Sequence, residues 1–285
     1  MIYVSSSSLR YRSLKKSVHV FVKNGYRRIE LSGGFSNYKN LENDLLSLKI
    51  EYGLEFIFHH YFPSLDNEFV LNLASNNDSI YTKSLNHLLA SIKLSKKIGI
   101  SRFGFHAGYF VDLKANELGK RMKKRKIKDK AKAISRFCKA FDKLKKEAAG
   151  QVDLYLENNV VSLFNYRIFC GENPFMLTNY DDYNELHRKI EFKLLLDCGH
   201  LKVTCNSLRL NFFDELRRMA PLTDYYHISD NDGFNDRNYG LRKNSLLCTS
   251  INKFYSNRKI FTLEINGLKE LNRSYHQLIG AKNDR

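Results

Sequence analysis

The sequence predicts an α/β chain folded as a single (β/α)8 TIM barrel over residues 1–285. Three observations carry this. Short apolar runs alternate with amphipathic stretches about eight times, and 285 residues suffice for a barrel, which needs roughly 250. Six of the apolar runs end in His, Asp or Glu, so their polar ends gather at one rim of a common sheet. No Pro/Gly/Ser linker, short-period repeat or low-complexity tract divides the chain.

The elements follow in order. Ile2-Tyr3-Val4 reads as a first strand, and Ser13 to Asn24, stopped by Gly25, as a helix. Arg28-Ile29-Glu30-Leu31 is a second strand before Ser32-Gly33-Gly34; Glu30 is one more carboxylate near a strand end, although an ion pair with a neighbouring Lys or Arg explains it equally well. Leu41 to Tyr52 carries leucines at helical spacing. Glu55-Phe56-Ile57-Phe58 ends in His59-His60, and a long helix spans Ile80 to Ile98. Arg102-Phe103-Gly104-Phe105 ends in His106-Ala107-Gly108. The basic run Lys120 to Lys132 then reads either as a solvated face or as an anion-binding segment at the rim. A helix from Asp129 to Ala149 leads to Val152–Leu156 and Glu157-Asn158-Asn159. A connection of about 25 residues precedes a helix near Asp181 to Lys189.

The stretch Leu194-Leu195-Leu196-Asp197-Cys198-Gly199-His200 organises the rest. Its leucines fit a parallel strand buried on both faces. Burying an unpaired Asp costs several kcal/mol, so Asp197 needs a cation or strong donors. A helix from Phe212 to Met219 stops before Pro221, and Tyr225-Tyr226 ends in His227-Ile228-Ser229-Asp230. Helices at Leu246 to Tyr255 and Ser274 to Ile279 flank the last strand, Ile260-Phe261-Thr262-Leu263, which delivers Glu264.

Composition narrows the classes. Apolar residues make up 43% and charged residues 27%, as in ordinary globular proteins. Forty-seven Lys and Arg against 30 Asp and Glu give a net charge of +17, which favours anionic partners. Five cysteines without a CxxC, and no signal-like or membrane-length apolar run, lead to the expectation of a reduced, cytoplasmic compartment and no membrane partner. The oligomeric state is left open.

Four strand ends suit one divalent ion: Glu157, Asp197, His227 and Glu264. Three carboxylates and an imidazole accept Mn²⁺, Mg²⁺, Co²⁺ or Zn²⁺. His59 and His106, with Glu157 bridging, are placed to hold a second ion; His200, Asp236 and Asn238 are candidates for a third.

The ordered pattern His59…His106-x-Gly108…Glu157-Asn158…Asp197-x-Gly199-His200…His227-x-Ser229-Asp230…Asp236…Leu263-Glu264 resembles the xylose-isomerase-like barrel superfamily. That group contains sugar isomerases and epimerases, inosose dehydratases and endonuclease IV. The resemblance implies a metal-dependent isomerase or epimerase of a sugar or sugar phosphate. Glu157 and Glu264 would shuttle a proton through an enediolate, and His200 would contact substrate oxygen. His59, His106 and Arg237, the cation nearest to a substrate Arg common in the group, complete the expected substrate contacts. The alternative it implies is an endonuclease IV-like nuclease acting at abasic sites in DNA. Eight of its nine ligands have counterparts here, but Asn238 stands where the ninth, a His, is expected.

Overall fold

The computed structural model describes residues 1–283 apart from 10, 37, 66–68, 244, 255 and 257. Eight parallel strands close on themselves in chain order: β1 (Ile2–Ser5), β2 (Arg28–Leu31), β3 (Glu55–His59), β4 (Arg102–His106), β5 (Asp153–Glu157), β6 (Lys193–Asp197), β7 (Tyr225–Ile228) and β8 (Ile260–Leu263). Side chains alternate across a strand, so every second residue points into the barrel. The outward set, including Val4, Ile29, Phe58, Phe103, Leu156 and Leu196, is buried under the helices.

The inward set has two storeys. The lower one is a closed apolar floor of Tyr3, Ile57, Tyr155, Leu195, Tyr225 and Ile260, each at most 4% exposed. Four of its members come from odd-numbered strands, the alternation that fills barrel interiors. Two residues further along the same strands stand Ser5, His59, Glu157, Asp197, His227 and Thr262, the upper storey. The register sets site residues side by side, His106 opposite Glu157 and Asp197 opposite His227. The strand that supports an apolar floor therefore delivers a polar group one pleat higher.

Ten helices run through the described residues: α1 (Leu14–Lys23), α2 (Leu41–Tyr52), α3 (Asp78–Lys97), α4 (Lys130–Ala148), α5 (Leu163–Ile168), α6 (Tyr180–His187), α7 (Cys198–Leu208), α8 (Phe212–Met219), α9 (Leu246–Phe254) and α10 (Leu268–Asn283). Two of them, α5 and α7, depart from the sequence expectation, which left 160–180 as a connection and placed no helix between β6 and α8. The last helix is also longer than expected. Tyr255, the expected end of α9, lies outside the described residues. The basic run is loop up to Asp129, whose side chain caps α4 by accepting from the Lys132 amide. None of the helices is long and apolar enough to cross a membrane.

Candidate active site

Glu157 is the centre of the upper storey. It is 1% exposed, and its two oxygens face different partners. Oε2 meets His59 Nε2 at 2.8 Å and His106 Nδ1 at 3.1 Å. Oε1 meets His227 Nδ1 at 3.2 Å and His200 Nδ1 at 3.5 Å. Burial works against charge on this carboxylate, but His106, His59 and His227 outweigh it and hold Glu157 well below the usual carboxylate range. His227 Nδ1 also lies 3.9 Å from Asp197 Oδ2 and 3.7 Å from Glu264 Oε2. Of the four residues expected at one ion, the three carboxylates thus lie within 3.9 Å of His227 Nδ1, although Asp197 shares no close ligand group with the others.

Asp197 obtains the donors its burial demands from α7. It is the N-cap of that helix, and Oδ1 accepts from the His200 amide at 2.6 Å. Asn158 fixes its backbone from both sides, accepting from the Asp197 amide and donating to its carbonyl. Burial still pushes the Asp197 carboxyl up to about 7, helped by Glu157 and Asp236 and opposed by His200. Gly199 is obligatory in this turn: a Cβ there would sit 2.7 Å from Ser229 Oγ and 3.2 Å from Asp197 Oδ1. Gly104 has the same office on β4, where a Cβ would press within 3.1 Å of the His59 ring.

Glu30 joins the site from β2. It is fully buried and accepts from Tyr225 Oη, from Thr262 Oγ1 at 2.7 Å and from His227 Nε2 at 3.1 Å. The Lys or Arg partner allowed for it in the sequence reading is replaced by an imidazole and two hydroxyls. With Nε2 donating to Glu30, Nδ1 is the His227 atom that faces Glu157, and a cation bound there would displace its proton and take its lone pair.

The remaining candidates separate clearly. His200 donates from Nδ1 to the Asn158 carbonyl at 2.9 Å and sets Nε2 3.2 Å from Asp236 Oδ2. Burial opposes its charge, but Asp197 and Asp236 raise it well above the ordinary imidazole range. His106 is driven down to about 3, first by burial. His60 is buried and neutral, and its Nδ1 accepts from the His106 amide at 3.3 Å. Asn238 accepts from the Ser229 hydroxyl at 3.2 Å, so its carbonyl oxygen is already engaged. Arg237 is exposed and does not line the cavity; its carbonyl accepts from Asn266.

Three groups have ligand atoms mutually within 4.8 Å: His59, Glu157 and His227; His106, Glu157 and His200; and Glu30, His227 and Glu264. His227 Nδ1, His106 Nδ1 and Glu157 Oε1 are buried without a hydrogen-bond partner among the described residues. Buried polar atoms are normally satisfied, so these orphans, each a member of one of the close groups, fit divalent cations shared through Glu157. Above it opens a cavity of about 330 Å³, whose wall includes His59, His106, His200, Asp236, Glu264 and Lys120.

A family model described as xylose isomerase-like TIM barrel matches residues 18–248. The chain belongs to this family. Among solved structures, this xylose isomerase-like barrel is similar to a D-tagatose 3-epimerase-like protein, at 15% identity over 99% of this chain and 97% of that one, with a TM-score of 0.74. It is also similar to D-psicose 3-epimerase with D-tagatose from Clostridium cellulolyticum (14% identity, 99% and 98% covered, TM-score 0.68). Endonuclease IV from Thermus thermophilus shares the fold as well (13% identity, 98% and 99% covered, TM-score 0.60). No curated protein matches the chain.

Proposed function

We propose that the protein is a metal-dependent sugar isomerase or epimerase. The observation that carries this reading is the approach of Glu157, Asp197 and Glu264 to His227 Nδ1, at 3.2, 3.9 and 3.7 Å. These four residues would hold one divalent ion, and His59 and His106 would complete a second position through Glu157. The ion would polarise the carbonyl and neighbouring hydroxyl of a hydroxy-ketone.

The chain itself supplies the proton path. Glu157 is held ionised by its histidines and suits the base. Glu264 is pushed up, mainly by burial, and suits the group that returns a proton. The Ser5 hydroxyl donates to Glu264 Oε1 at 3.1 Å and orients it. His200, held through Nδ1 by the Asn158 carbonyl, lines the cavity, and a substrate oxygen would contact it by sharing the Nε2 proton with Asp236. The apolar part of the cavity wall, including Tyr109, Leu113 and Phe175, excludes water from the reacting carbon. A cavity of about 330 Å³ is at the lower end of ordinary small-molecule sites, which suits a monosaccharide. The five unpaired cysteines support a reducing, cytoplasmic setting.

The nuclease reading has one observation in its favour, the extra imidazoles on Glu157, and one against it, the engaged Asn238 at the third position. Metal content and isotope exchange decide. In D₂O with Mn²⁺ and ketoses such as D-fructose and D-tagatose, the proposal expects solvent deuterium in the product. Incision of an abasic-site duplex by protein carrying three ions, without any ketose exchange, overturns it.

A further inference from the structure

We propose that a cleft beside the metal cavity receives a phosphate-bearing extension of the substrate, so that the sugar is presented as a phosphate or diphosphate derivative. This rests on the sugar reading of the main cavity. The cleft holds about 540 Å³ and shares Phe164 and Asn235 with that cavity. Its described lining contains two cations, Arg121 and Arg167, and no acidic residue. Lys120, the one Lys or Arg in the wall of the main cavity among the described residues, adjoins Arg121 in sequence where the two spaces meet.

These three cations are unpaired among the described residues, whereas several cations nearby are engaged. Arg125 pairs with Glu117 at 2.5 Å, Lys128 with Asp112 at 2.5 Å and Lys202 with Asp230 at 2.6 Å. Lys120, Arg121 and Arg167 have no ion-pair or side-chain hydrogen-bond partner among the described residues, although the backbone around them is firmly held. Buried Asn165 accepts from the Met122 amide at 3.0 Å and donates to the Lys120 carbonyl at 3.0 Å. One side chain therefore fastens both residues flanking Arg121, and Arg167 follows two positions later on the same helix, α5. Glu117 secures the near side of the loop by accepting from the Lys114 and Lys123 amides.

Two guanidiniums on tethered backbone, with a lysine leading inward, suit a chain of phosphate oxygens, for which Arg offers paired donors. Phe234, 54% exposed at the edge of this cleft, adds a flat apolar face that suits a nucleobase.

The probes are inorganic pyrophosphate and uridine diphosphate, titrated calorimetrically into the protein as purified at about 0.15 M ionic strength. Both should bind, and Arg121→Ala/Arg167→Ala should weaken binding by about ten-fold or more. Lys83→Ala/Lys93→Ala, which removes the same charge from exposed positions on α3, should not. Phe234→Ala separates the sources. A loss confined to uridine diphosphate supports a nucleotide-linked sugar, and no loss supports a simple sugar phosphate. Failure of both probes to bind, or equal weakening by the α3 variant, overturns the proposal. Undiminished binding in the arginine variant places phosphate on the metal site and also overturns it. A duplex oligonucleotide held more tightly than either probe through the same arginines would replace it with a nucleic-acid surface. Ketose exchange without pyrophosphate binding leaves the sugar reading standing and sinks the cleft; arginine-dependent pyrophosphate binding without exchange of any ketose does the reverse.

Discussion

Glu30 shows how a single side chain sets the state of the site. It accepts from His227 Nε2, which leaves Nδ1 free to face Glu157, Asp197 and Glu264. In Glu30→Gln the new amide can donate to Nε2, and the imidazole proton moves to Nδ1, the wrong atom. Such partners typically contribute about 10–100-fold to metal affinity, and that loss is expected in a Mn²⁺ or Zn²⁺ titration of a variant whose circular dichroism is unchanged. Glu157→Gln and Glu264→Gln should each lower ketose turnover by about 10²–10⁴-fold, measured under saturating metal. Most of this constellation is legible in the sequence because each member closes an apolar run. Glu30 is the exception. It sits inside Arg28-Ile29-Glu30-Leu31, a strand that fits a surface ion pair as well as a lumen carboxylate, and only barrel closure brings β2 across from β7.

At the scale of elements, α7 and the loop after β4 carry the lesson. A surface helix shows itself in a sequence by its stripe of apolar residues. In α7, Leu201, Val203, Thr204, Cys205 and Ser207 are all buried, so only the narrow stripe of Lys202 and Asn206 marks the period, and Gly199 in the first turn disguises its start. Its dipole and free amides nonetheless answer the question Asp197 raised. The basic loop is organised around Glu117, an acidic residue within a basic stretch, 6% exposed. Burial alone would raise its carboxyl, but the Lys114 and Lys123 amides and Arg125 hold it down at about 2. Its folded pKa lies below the unfolded value, about 4.3. The fastening is therefore complete above that value and is lost as pH falls towards 2. Amide protection at Lys114 and Lys123 should fall over that window while the barrel strands stay protected. Glu117→Gln should show the weakened protection already at neutral pH. Unchanged protection down to pH of about 2 would refute the role of the carboxylate.

At the scale of the molecule, carboxylates and imidazoles from seven strands, β2 to β8, are compressed into one lumen. A cation bound by the folded state alone stabilises it by mass action, about 2.7 kcal/mol at one hundred times Kd. For a domain of this size that corresponds to a rise in Tm of several degrees, since each kcal/mol shifts Tm by roughly 2–4 °C. Differential scanning fluorimetry with and without a chelator should show it. Asp197→Ala should fold but lose most of the metal-dependent increment; an increment equal to that of wild type would remove Asp197 from the metal site. The barrel itself is legible from the sequence because eight repeats of one local grammar leave little else for the chain to form. The lumen is not, because two-residue alternation says which residues point inward but not which of them meet.

The floor of tyrosines and aliphatic residues beneath the site has a kinetic consequence. Among the described residues, Tyr3, Tyr155 and Tyr225 pack into a buried layer across the lower end of the lumen and leave the mouth as the way in. Whatever enters from the mouth must leave by it, and traffic is one molecule at a time. For a freely reversible reaction, departing product and arriving substrate then contend for the same doorway. Product should act as a purely competitive inhibitor, and progress curves should bend early, long before substrate is exhausted.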